Sequence, residues 1–327
     1  MTKKYLVTGG AGFIGAHLVR NLLDSKNKVV ALDNFKRSVP RRVKEFEADI
    51  NFKCVNADIR NFNEIEGHFA DVDCVYHLAA INGTENFYNI PIEILDVGIL
   101  GIINVIKACD LHNVPNLIAA SSAEVYQTPD HVPTTEEIGL VIPDIHNPRY
   151  SYGLSKIVTE SYCLNYNFKH GTKTKIFRPH NIYGPDMGLK HVIPQFINNM
   201  IDVKKNGLNE LSIKGSLEAT RAFCFVEDLV LGLRILESST EDKHIYHIGT
   251  QEEIKIKDLI EIIASLLEIE INKINSDHTF KGETLRRCPD TTKIESLGFK
   301  PSTDLQEGIR RTFEWYIDSN KDEGSLL

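Results

Sequence analysis

The first residues of the chain contain the feature that most limits its possible folds, a glycine-rich turn between an apolar strand and a helix. Residues 5–7 read as a buried strand, and apolar residues at helical spacing over residues 16–23 mark the inner face of a helix. Gly9, Gly12 and Gly15 fall on the turn between them. These positions suit a tight turn, close backbone approach to a pyrophosphate, and close packing of helix on strand. The turn therefore predicts a dinucleotide whose phosphates lie at the positive end of the helix.

A second apolar strand, residues 29–32, ends in Asp33, eighteen residues after Gly15. An acidic residue at about this place accepts hydrogen bonds from the hydroxyls of an adenosine ribose and would repel a 2′-phosphate. The sequence therefore favours NAD over NADP, although Lys36 and Arg37 lie close by and weaken that preference.

Further short apolar runs alternate with helical patterns along the first half of the chain. They predict strands at residues 52–55, 72–78, 117–120 and 175–178. This rhythm indicates an α/β fold, a Rossmann-type doubly wound parallel sheet that binds its ligand at the carboxyl ends of the strands. Proline and glycine in residues 179–185 interrupt this alternation of strands and helices. We expect the chain to enter a second, smaller α/β lobe there.

Composition excludes several classes of protein. The chain of 327 residues is 42% hydrophobic and 25% charged, as in ordinary globular proteins, and its net charge of −8 gives no footprint for nucleic acid or an anionic membrane. Six cysteines stand singly without metal-ligand spacing, which favours reduced cytosolic thiols and no metal site. A core strand that begins at residue 5 leaves no room for a signal peptide, and no apolar run could span a bilayer. We therefore expect a cytoplasmic protein without nucleic-acid or membrane partners.

One long predicted helix, residues 92–111, carries apolar side chains on more than one face. This breadth indicates burial on a second surface as well as on the sheet, so we expect a homodimer.

Three polar residues predict hydride-transfer chemistry. Ser122 follows the strand at residues 117–120, while Tyr152 and Lys156 lie one helical turn apart. Tyrosine is a poor base near neutral pH unless a cation stabilises its phenolate, and Lys156 could supply that charge and hold the nicotinamide ribose. Ser122 could bind the substrate oxygen and share its proton. Alone, the tyrosine and lysine would fit a surface pair of helical residues better, and only the phosphate-binding turn and Ser122 reverse that weighting.

Taken together, these motifs resemble the extended short-chain dehydrogenases/reductases, specifically the NAD-dependent nucleotide-sugar epimerase/dehydratase family. The resemblance covers nearly the whole chain, through residues 8–15, 33–34, 58–59, 77–80, 121–126, 152–156, 178–185, 220–229 and 286–290. It implies a catalytic triad of Ser122, Tyr152 and Lys156. It also implies a discontinuous division of the chain, with an NAD-binding Rossmann domain at residues 1–178 and 221–250 and a nucleotide-sugar-binding lobe at 179–220 and 251–327.

The resemblance also assigns ligands. The implied cofactor-binding residues are Gly9, Gly12, Phe13, Ile14, Gly15, Asp33, Asn34, Asp58, Ile59, Leu78, Ala79, Ala80, Tyr152 and Lys156. Asp58 would bind the adenine amino group, but a loop carboxylate that caps a helix fits the residues equally well. Asn181 and Arg221 would contact the diphosphate of the sugar nucleotide, with Arg286 or Arg287 as a further phosphate ligand. A turn-capping asparagine and solvated arginines remain the alternatives.

The final reaction is less constrained. The resemblance implies that the sugar is first oxidised, usually at C4. The dTDP-glucose dehydratases of the family have Asp-Glu at the two positions where this chain has Ala123 and Glu124. A methyl group cannot donate a proton, so that reaction is disfavoured, while Glu124 is still placed to act as a base. We favour a reaction assisted by Glu124, either dehydration or epimerisation by deprotonation beside the carbonyl, over plain C4 epimerisation. A decarboxylase similar to the UDP-glucuronate enzymes, a carbonyl reductase and a non-catalytic dinucleotide sensor remain alternatives, and Gln127 departs from the glycine usual in the family.

Overall fold

Strands and helices alternate through most of the chain, as the alternating apolar patterns of the sequence predict. The structure, a computed structural model, describes residues 2–277 and 284–323. In chain order the elements are β1 (Lys4–Thr8), α1 (Phe13–Asp24), β2 (Lys28–Asp33), α2 (Arg41–Lys44), β3 (Phe52–Asn56), α3 (Phe62–Ile65), β4 (Cys74–His77), α4 (Thr84–Asn89), α5 (Pro91–Leu111), β5 (Asn116–Ala120), α6 (Ser151–Asn165), β6 (Lys173–Pro179), β7 (Ile182–Tyr183), α7 (Val192–Lys205), β8 (Glu210–Lys214), β9 (Thr220–Ala222), β10 (Cys224–Phe225), α8 (Val226–Ser238), β11 (His244–Ile248), β12 (Glu253–Lys255), α9 (Ile256–Leu266), β13 (Lys273–Asp277), β14 (Arg286–Arg287), α10 (Thr292–Glu295) and α11 (Leu305–Glu323).

Seven strands form a parallel sheet in the order β11-β6-β5-β4-β1-β2-β3. The chain leaves β1 toward β2 and β3 and then crosses to the other side of β1 to form β4. At such a reversal the loops that follow the two central strands separate and leave a crevice at their carboxyl ends. The predicted doubly wound parallel sheet is confirmed, and the crevice lies after Thr8 and His77.

Both faces of the sheet are covered, which explains why its strands are apolar almost throughout. Tyr5 and Val7 point to one face, where they share a hydrophobic cluster with Leu18 and Leu22 of α1 and Leu229 of α8. The alternate residue, Leu6, points to the other face and packs in the cluster formed by α5 and α6. The sheet is therefore the middle layer of three, with helices on either side.

A separate hydrophobic cluster lies outside these layers. It is formed largely by apolar side chains of α7, β8, α9 and α11, including Phe196, Leu211, Leu259 and Ile309. Two smaller sheets accompany this part of the chain, β13-β8 and β12-β9-β14. The predicted division of the chain into two lobes stays a proposal, and residues 278–283 and 324–327 of its second lobe lie outside the described residues.

The long helix predicted at residues 92–111 is α5, Pro91–Leu111. Its apolar residues bury one face against the sheet, while Ile92, Leu100 and Leu111 remain exposed at 68%, 46% and 59%. None of the helices in the described part of the chain has the length and apolar character that a bilayer crossing requires.

Candidate active site

The glycine-rich turn between β1 and α1 has the geometry of a phosphate-binding loop. Gly9 has a φ of +70°, and a Cβ atom there would lie 2.8 Å from the backbone nitrogen of Ala79. A Cβ atom at Gly15 would lie 2.1 Å from the carbonyl oxygen of Gly9, so only glycine allows α1 to approach the turn. A Cβ atom at Gly12 would lie 3.0 Å from that same oxygen, which is a tight contact for a side chain. The three glycines therefore keep the turn compact at the start of α1.

The first turn of α1 supplies the donors for an anion. Gly12 precedes the helix in an extended conformation, and Phe13, Ile14 and Gly15 begin it, so their N–H groups lack acceptors within the helix. The sequence of this turn carries no acidic residue. A pyrophosphate at the helix terminus would meet backbone donors and the positive end of the helix dipole.

Asp33, at the end of β2, joins this turn to the next loop. Its carboxylate accepts hydrogen bonds from the backbone N–H of Ala11 at 3.1 Å, the backbone N–H of Phe35 at 3.0 Å and the hydroxyl of Ser38 at 2.7 Å. A carboxylate group can accept about four hydrogen bonds, so these three leave capacity for about one more, such as a ribose hydroxyl.

Asn34 and Asp58 meet at the carboxyl end of the neighbouring strand. The Asn34 amide donates to Asp58 at 3.0 Å, and the Arg60 guanidinium binds both oxygens of Asp58 at 2.7 and 3.0 Å. Arg60 holds the pKa of Asp58 well below its usual range, so this carboxylate is ionised. Ile59 is buried and packs toward Gly101 of α5.

The loop after β4 completes the cofactor cleft. The N–H of Leu78 donates to the carbonyl of Thr8 at 3.1 Å, and the N–H of Ala79 donates to the Thr8 hydroxyl at 3.3 Å. Ala79 and Ala80 are small and only partly buried. The glycine turn, the free helix donors and Asp33 together fit NAD, which supplies a hydride acceptor when it is bound.

Ser122, Tyr152 and Lys156 meet where β5 ends and α6 begins. Ser122 opens a short 3₁₀ helix, Ala123–Tyr126, and its hydroxyl accepts a hydrogen bond from the N–H of Glu124 at 3.1 Å. Lys156 is buried, donates to the carbonyl of Ala120 at 2.8 Å, and places its Nζ 5.8 Å from the centre of the Tyr152 ring. The two residues predicted to share a helix face do so on α6.

Burial shifts both titrating groups toward their neutral forms. Burial raises the pKa of Tyr152 to about 12, and the hydrogen bond with Ser122 lowers this pKa by a smaller amount. Burial also lowers the pKa of Lys156 to about 8. Near neutral pH the Lys156 ammonium still predominates, and the nearby charge that lowers the pKa of Tyr152 is that of Arg37.

Glu124 lies between two arginines beside this set. Its carboxylate accepts hydrogen bonds from Arg287 at 2.8 Å and from Arg149 at 3.2 Å. Burial alone would raise the pKa of Glu124, but Arg287 and Arg149 outweigh burial and hold that pKa below its usual range. We call these three residues the Glu124 cluster, and with two cations and one anion it carries a net positive charge.

The structure brings two of the predicted substrate ligands together and places the other two apart from them. Arg287 and Arg221 are paired across β14 and β9, so they lie side by side. The adjacent Arg286 binds Glu253 at 2.6 Å, and its side chain is 53% exposed. Asn181 has a φ of +43° and donates to the carbonyl of Ala222 at 3.0 Å, which connects β6 to the β9 segment.

Two residues of the site were not predicted from the sequence. Arg149 completes the Glu124 cluster, and its spacing of three from Tyr152 was the signal that could have found it. Phe87 of α4 stacks on Tyr152 with ring centres 5.3 Å apart and an interplanar angle of 11°. It lies 65 residues before Tyr152 on a short helix, so no local pattern joins the two.

Gln127, where the family usually has glycine, adopts a φ of +54°. A non-glycine residue is disfavoured in this conformation. Here the side-chain amide donates to the carbonyl of Glu124 at 2.6 Å, and the Gln127 carbonyl accepts from the Thr284 hydroxyl at 3.1 Å. These two bonds hold the segment after Ser122 against the segment that leads to Arg287.

Comparison with known proteins decides the family. The model of the NAD dependent epimerase/dehydratase family matches residues 5–249. The chain belongs to this family. It is 34% identical over 322 residues to a protein named putative UDP-glucose 4-epimerase from Methanocaldococcus jannaschii, and the match covers 97% of this chain and 99% of that one. It is 31% identical to UDP-glucuronic acid decarboxylase 1 of Xenopus tropicalis, across 96% of this chain and 72% of that one.

A solved structure is similar over its whole length. The dTDP-glucose 4,6-dehydratase of Streptomyces venezuelae, crystallised with NAD bound, has a TM-score of 0.87 and 27% identity, and covers 97% of this chain and 98% of its own. The family inferred from the motifs is therefore confirmed, together with NAD as cofactor and the nucleotide-sugar class of enzyme. The roles of individual residues stay predictions.

The buried Lys156 predicts a pH-dependent contribution to stability. Its pKa is about 8 in the folded chain and 10.5 for an ordinary lysine, so between these values the unfolded chain binds the extra proton. The free energy of unfolding should therefore rise with pH across this window, by about 2–3 kcal/mol from this residue. Urea unfolding of wild type and Lys156→Met, compared from about pH 8 to about pH 10, should show a growing difference in favour of wild type. A difference that stays constant with pH would contradict the burial of a titrating ammonium.

Proposed function

We propose that this enzyme oxidises C4 of a UDP-sugar that carries a carboxylate at C6, and that the product loses carbon dioxide. The observation that supports the proposal is the Glu124 cluster, in which an ionised carboxylate lies between Arg149 and Arg287 two residues after Ser122. Its surplus positive charge, close to the predicted catalytic residues, favours an anionic sugar.

The same cluster argues against dehydration. Loss of a C6 hydroxyl requires a group that donates a proton to the leaving oxygen and a base that removes the C5 proton. Glu124 has a lowered pKa and two arginine partners, so it is a poor acid and a weaker base than an unpaired glutamate. The expectation that Glu124 acts as a base stays a proposal, and the structure favours an electrostatic role for it.

Decarboxylation requires little from the protein once the ketone exists. Tyr152 would remove the proton of the C4 hydroxyl and Ser122 would bind the same oxygen, while NAD, when bound, would supply the acceptor for the C4 hydride. The C6 carboxylate is then β to the C4 ketone. The C5–C6 bond breaks, carbon dioxide leaves, and the electron pair is delocalised onto the C4 oxygen. A proton from solvent adds at C5 to restore the ketone. Return of the hydride to C4, with the proton passing from Tyr152 to the C4 oxygen, then gives the alcohol.

In this account each cation of the site has a separate role. Lys156 stabilises the Tyr152 phenolate. Arg287 releases the carboxylate of Glu124 and binds the sugar carboxylate in its place. Asn181 and Arg221 bind the diphosphate, as the resemblance implies. The name of the Xenopus relative, a UDP-glucuronic acid decarboxylase, supports this substrate class.

A second candidate is C4 epimerisation of a neutral UDP-sugar. The name of the Methanocaldococcus relative favours it, and the reaction needs no base beyond Tyr152 because the ketone only has to rotate before the hydride returns. In that case the Glu124 cluster would bind sugar hydroxyls rather than a carboxylate.

The two candidates differ in the mass of the product. Purified enzyme should convert UDP-glucuronate to a product lighter by one carbon dioxide, measured by mass spectrometry. Arg287→Gln should lower kcat/KM for UDP-glucuronate by about a hundredfold, since truncating one partner of a buried charge pair costs roughly 2–5 kcal/mol. Arg286→Gln, the neighbouring change at an exposed pair, should lower kcat/KM only a few-fold.

Other products would decide against the proposal. An isomer of unchanged mass from UDP-glucose, with no reaction of UDP-glucuronate, would establish epimerisation. A product lighter by one water would establish dehydration and return Glu124 to the role of acid or base. Equal losses of kcat/KM in the two arginine variants would show that the Glu124 cluster has no specific role in binding the sugar carboxylate.

We also propose a cytoplasmic homodimer that pairs through α5. Leu100 and Leu111 are exposed apolar residues on this helix, eleven positions apart and therefore on nearly the same face. Sedimentation at micromolar concentration should show a dimer for wild type and for Ile50→Glu, a change at an exposed isoleucine away from α5. Leu100→Glu should shift the protein to monomer. A monomeric wild type, or an equal effect of both changes, would contradict the proposed interface.

A further inference from the structure

The short helix α4 buries a single side chain at the active site. Of its six described residues, Thr84–Asn89, Phe87 is the buried one, at 2% exposure. The helix follows Gly83, whose φ of +114° allows the chain to turn into it. Its neighbour Tyr88 remains 49% exposed. A helix this short has little stability of its own, so the placement of α4 depends on where Phe87 packs.

Phe87 packs on Tyr152. The two rings are nearly parallel, at 11°, with centres 5.3 Å apart, which is an offset-stacked arrangement. Tyr152 is itself 6% exposed, so the stacked face of its ring is shielded from water. The backbone next to Tyr152 packs closely on the segment that holds Glu124. A Cβ atom at Gly153 would lie 2.9 Å from the carbonyl oxygen of Glu124, so a larger residue would not fit there.

Phe87 also contacts the Glu124 cluster. The guanidinium carbon of Arg149 lies 5.2 Å from the centre of the Phe87 ring, within the range of a cation–π interaction. The same guanidinium binds Glu124 at 3.2 Å. One apolar ring therefore touches both the predicted base and one cation of the predicted sugar-binding cluster.

We propose that Phe87 is a positioning residue, which fixes the plane of the Tyr152 ring and the place of Arg149 and so sets the geometry for proton removal from the sugar. Lys156 reaches Tyr152 from its own helix, whereas the stacked face of the ring is held by α4. Without the stack, the ring can rotate away from Ser122 and water can reach it. The inference rests on the proposed function in one respect, the role of Tyr152 as the base.

The contact can be tested without any sugar substrate. With fluorotyrosine incorporated at position 152, ¹⁹F NMR reports the titration of that phenol alone, and fluorination lowers its pKa into a range where the protein stays folded. Because burial raises the pKa of Tyr152, removal of the covering ring should lower it. Phe87→Ala should therefore titrate at lower pH than wild type, and Phe87→Leu should shift in the same direction by less. Phe87→Tyr, which retains a flat ring, should restore the wild-type midpoint.

The rate of the first chemical step provides the second readout. The initial reduction of bound NAD by UDP-glucuronate or UDP-glucose should be about tenfold slower in Phe87→Leu, with retention of NAD and Tm close to wild type. Tyr88→Ala, at the exposed neighbour, should change neither the titration nor the rate. If Phe87→Ala does not fold, Phe87→Leu supplies both measurements.

The outcomes separate this inference from the proposed function. If no UDP-sugar reduces the cofactor of the wild-type enzyme, the proposed function fails, while the titration still tests the Phe87 contact. An unchanged titration midpoint and rate in a folded Phe87→Leu protein would overturn the inference. Equal effects of Tyr88→Ala and Phe87→Ala would also overturn it, because they would show only that α4 had loosened.

Discussion

The active site depends on one buried cation, the ammonium of Lys156 at the carboxyl edge of the sheet. Its hydrogen bond to the carbonyl of Ala120 joins α6 to the end of β5. One turn later on the same helix, Glu160 binds Arg178 of β6 through both carboxylate oxygens at 2.7 Å and accepts a hydrogen bond from Ser121. A buried ion pair of this kind is costly to break, by roughly 3–5 kcal/mol, because it leaves one charge unpaired. These contacts fix α6 against two strands, and that places Tyr152 beside Ser122.

The rest of the site is built by bringing charges to this edge from distant parts of the chain. Arg287 comes from β14, and the small sheet that pairs β14 with β9 also places Arg221 next to it. Glu124 receives Arg287 on one oxygen and Arg149 on the other, so a partly buried carboxylate remains ionised. Partly buried charges interact more strongly than charges in bulk water, so an anionic sugar of the proposed kind would be strongly attracted to them. The arrangement suits binding and polarisation of an anionic substrate better than proton transfer by Glu124.

The sequence predicted the parts of the fold and site that depend on local pattern. The glycine turn, the acidic end of β2, and Tyr152 and Lys156 one turn apart are all properties of short segments. The strand predicted at residues 72–78 is shorter in the structure, Cys74–His77, although the N–H of Leu78 just beyond it still donates to the carbonyl of Thr8 in β1. The choice between Arg286 and Arg287 could not be made, since adjacent residues on a strand point to opposite sides and only the tertiary fold places Glu253 near one and Glu124 near the other. Phe87 was missed for the same reason, because its role comes from a contact across the fold, whereas Arg149 had a local signal in its spacing of three from Tyr152.

In the proposed reaction the enzyme forms a transient C4 ketone and retains its NAD throughout. Absorbance of the reduced cofactor can be followed in a single turnover with enzyme in excess over UDP-glucuronate. The absorbance should rise as the sugar is oxidised and fall as the hydride returns, with no cofactor released to solution. No rise with any UDP-sugar, or a lasting rise with release of the reduced cofactor, would rule out this reaction.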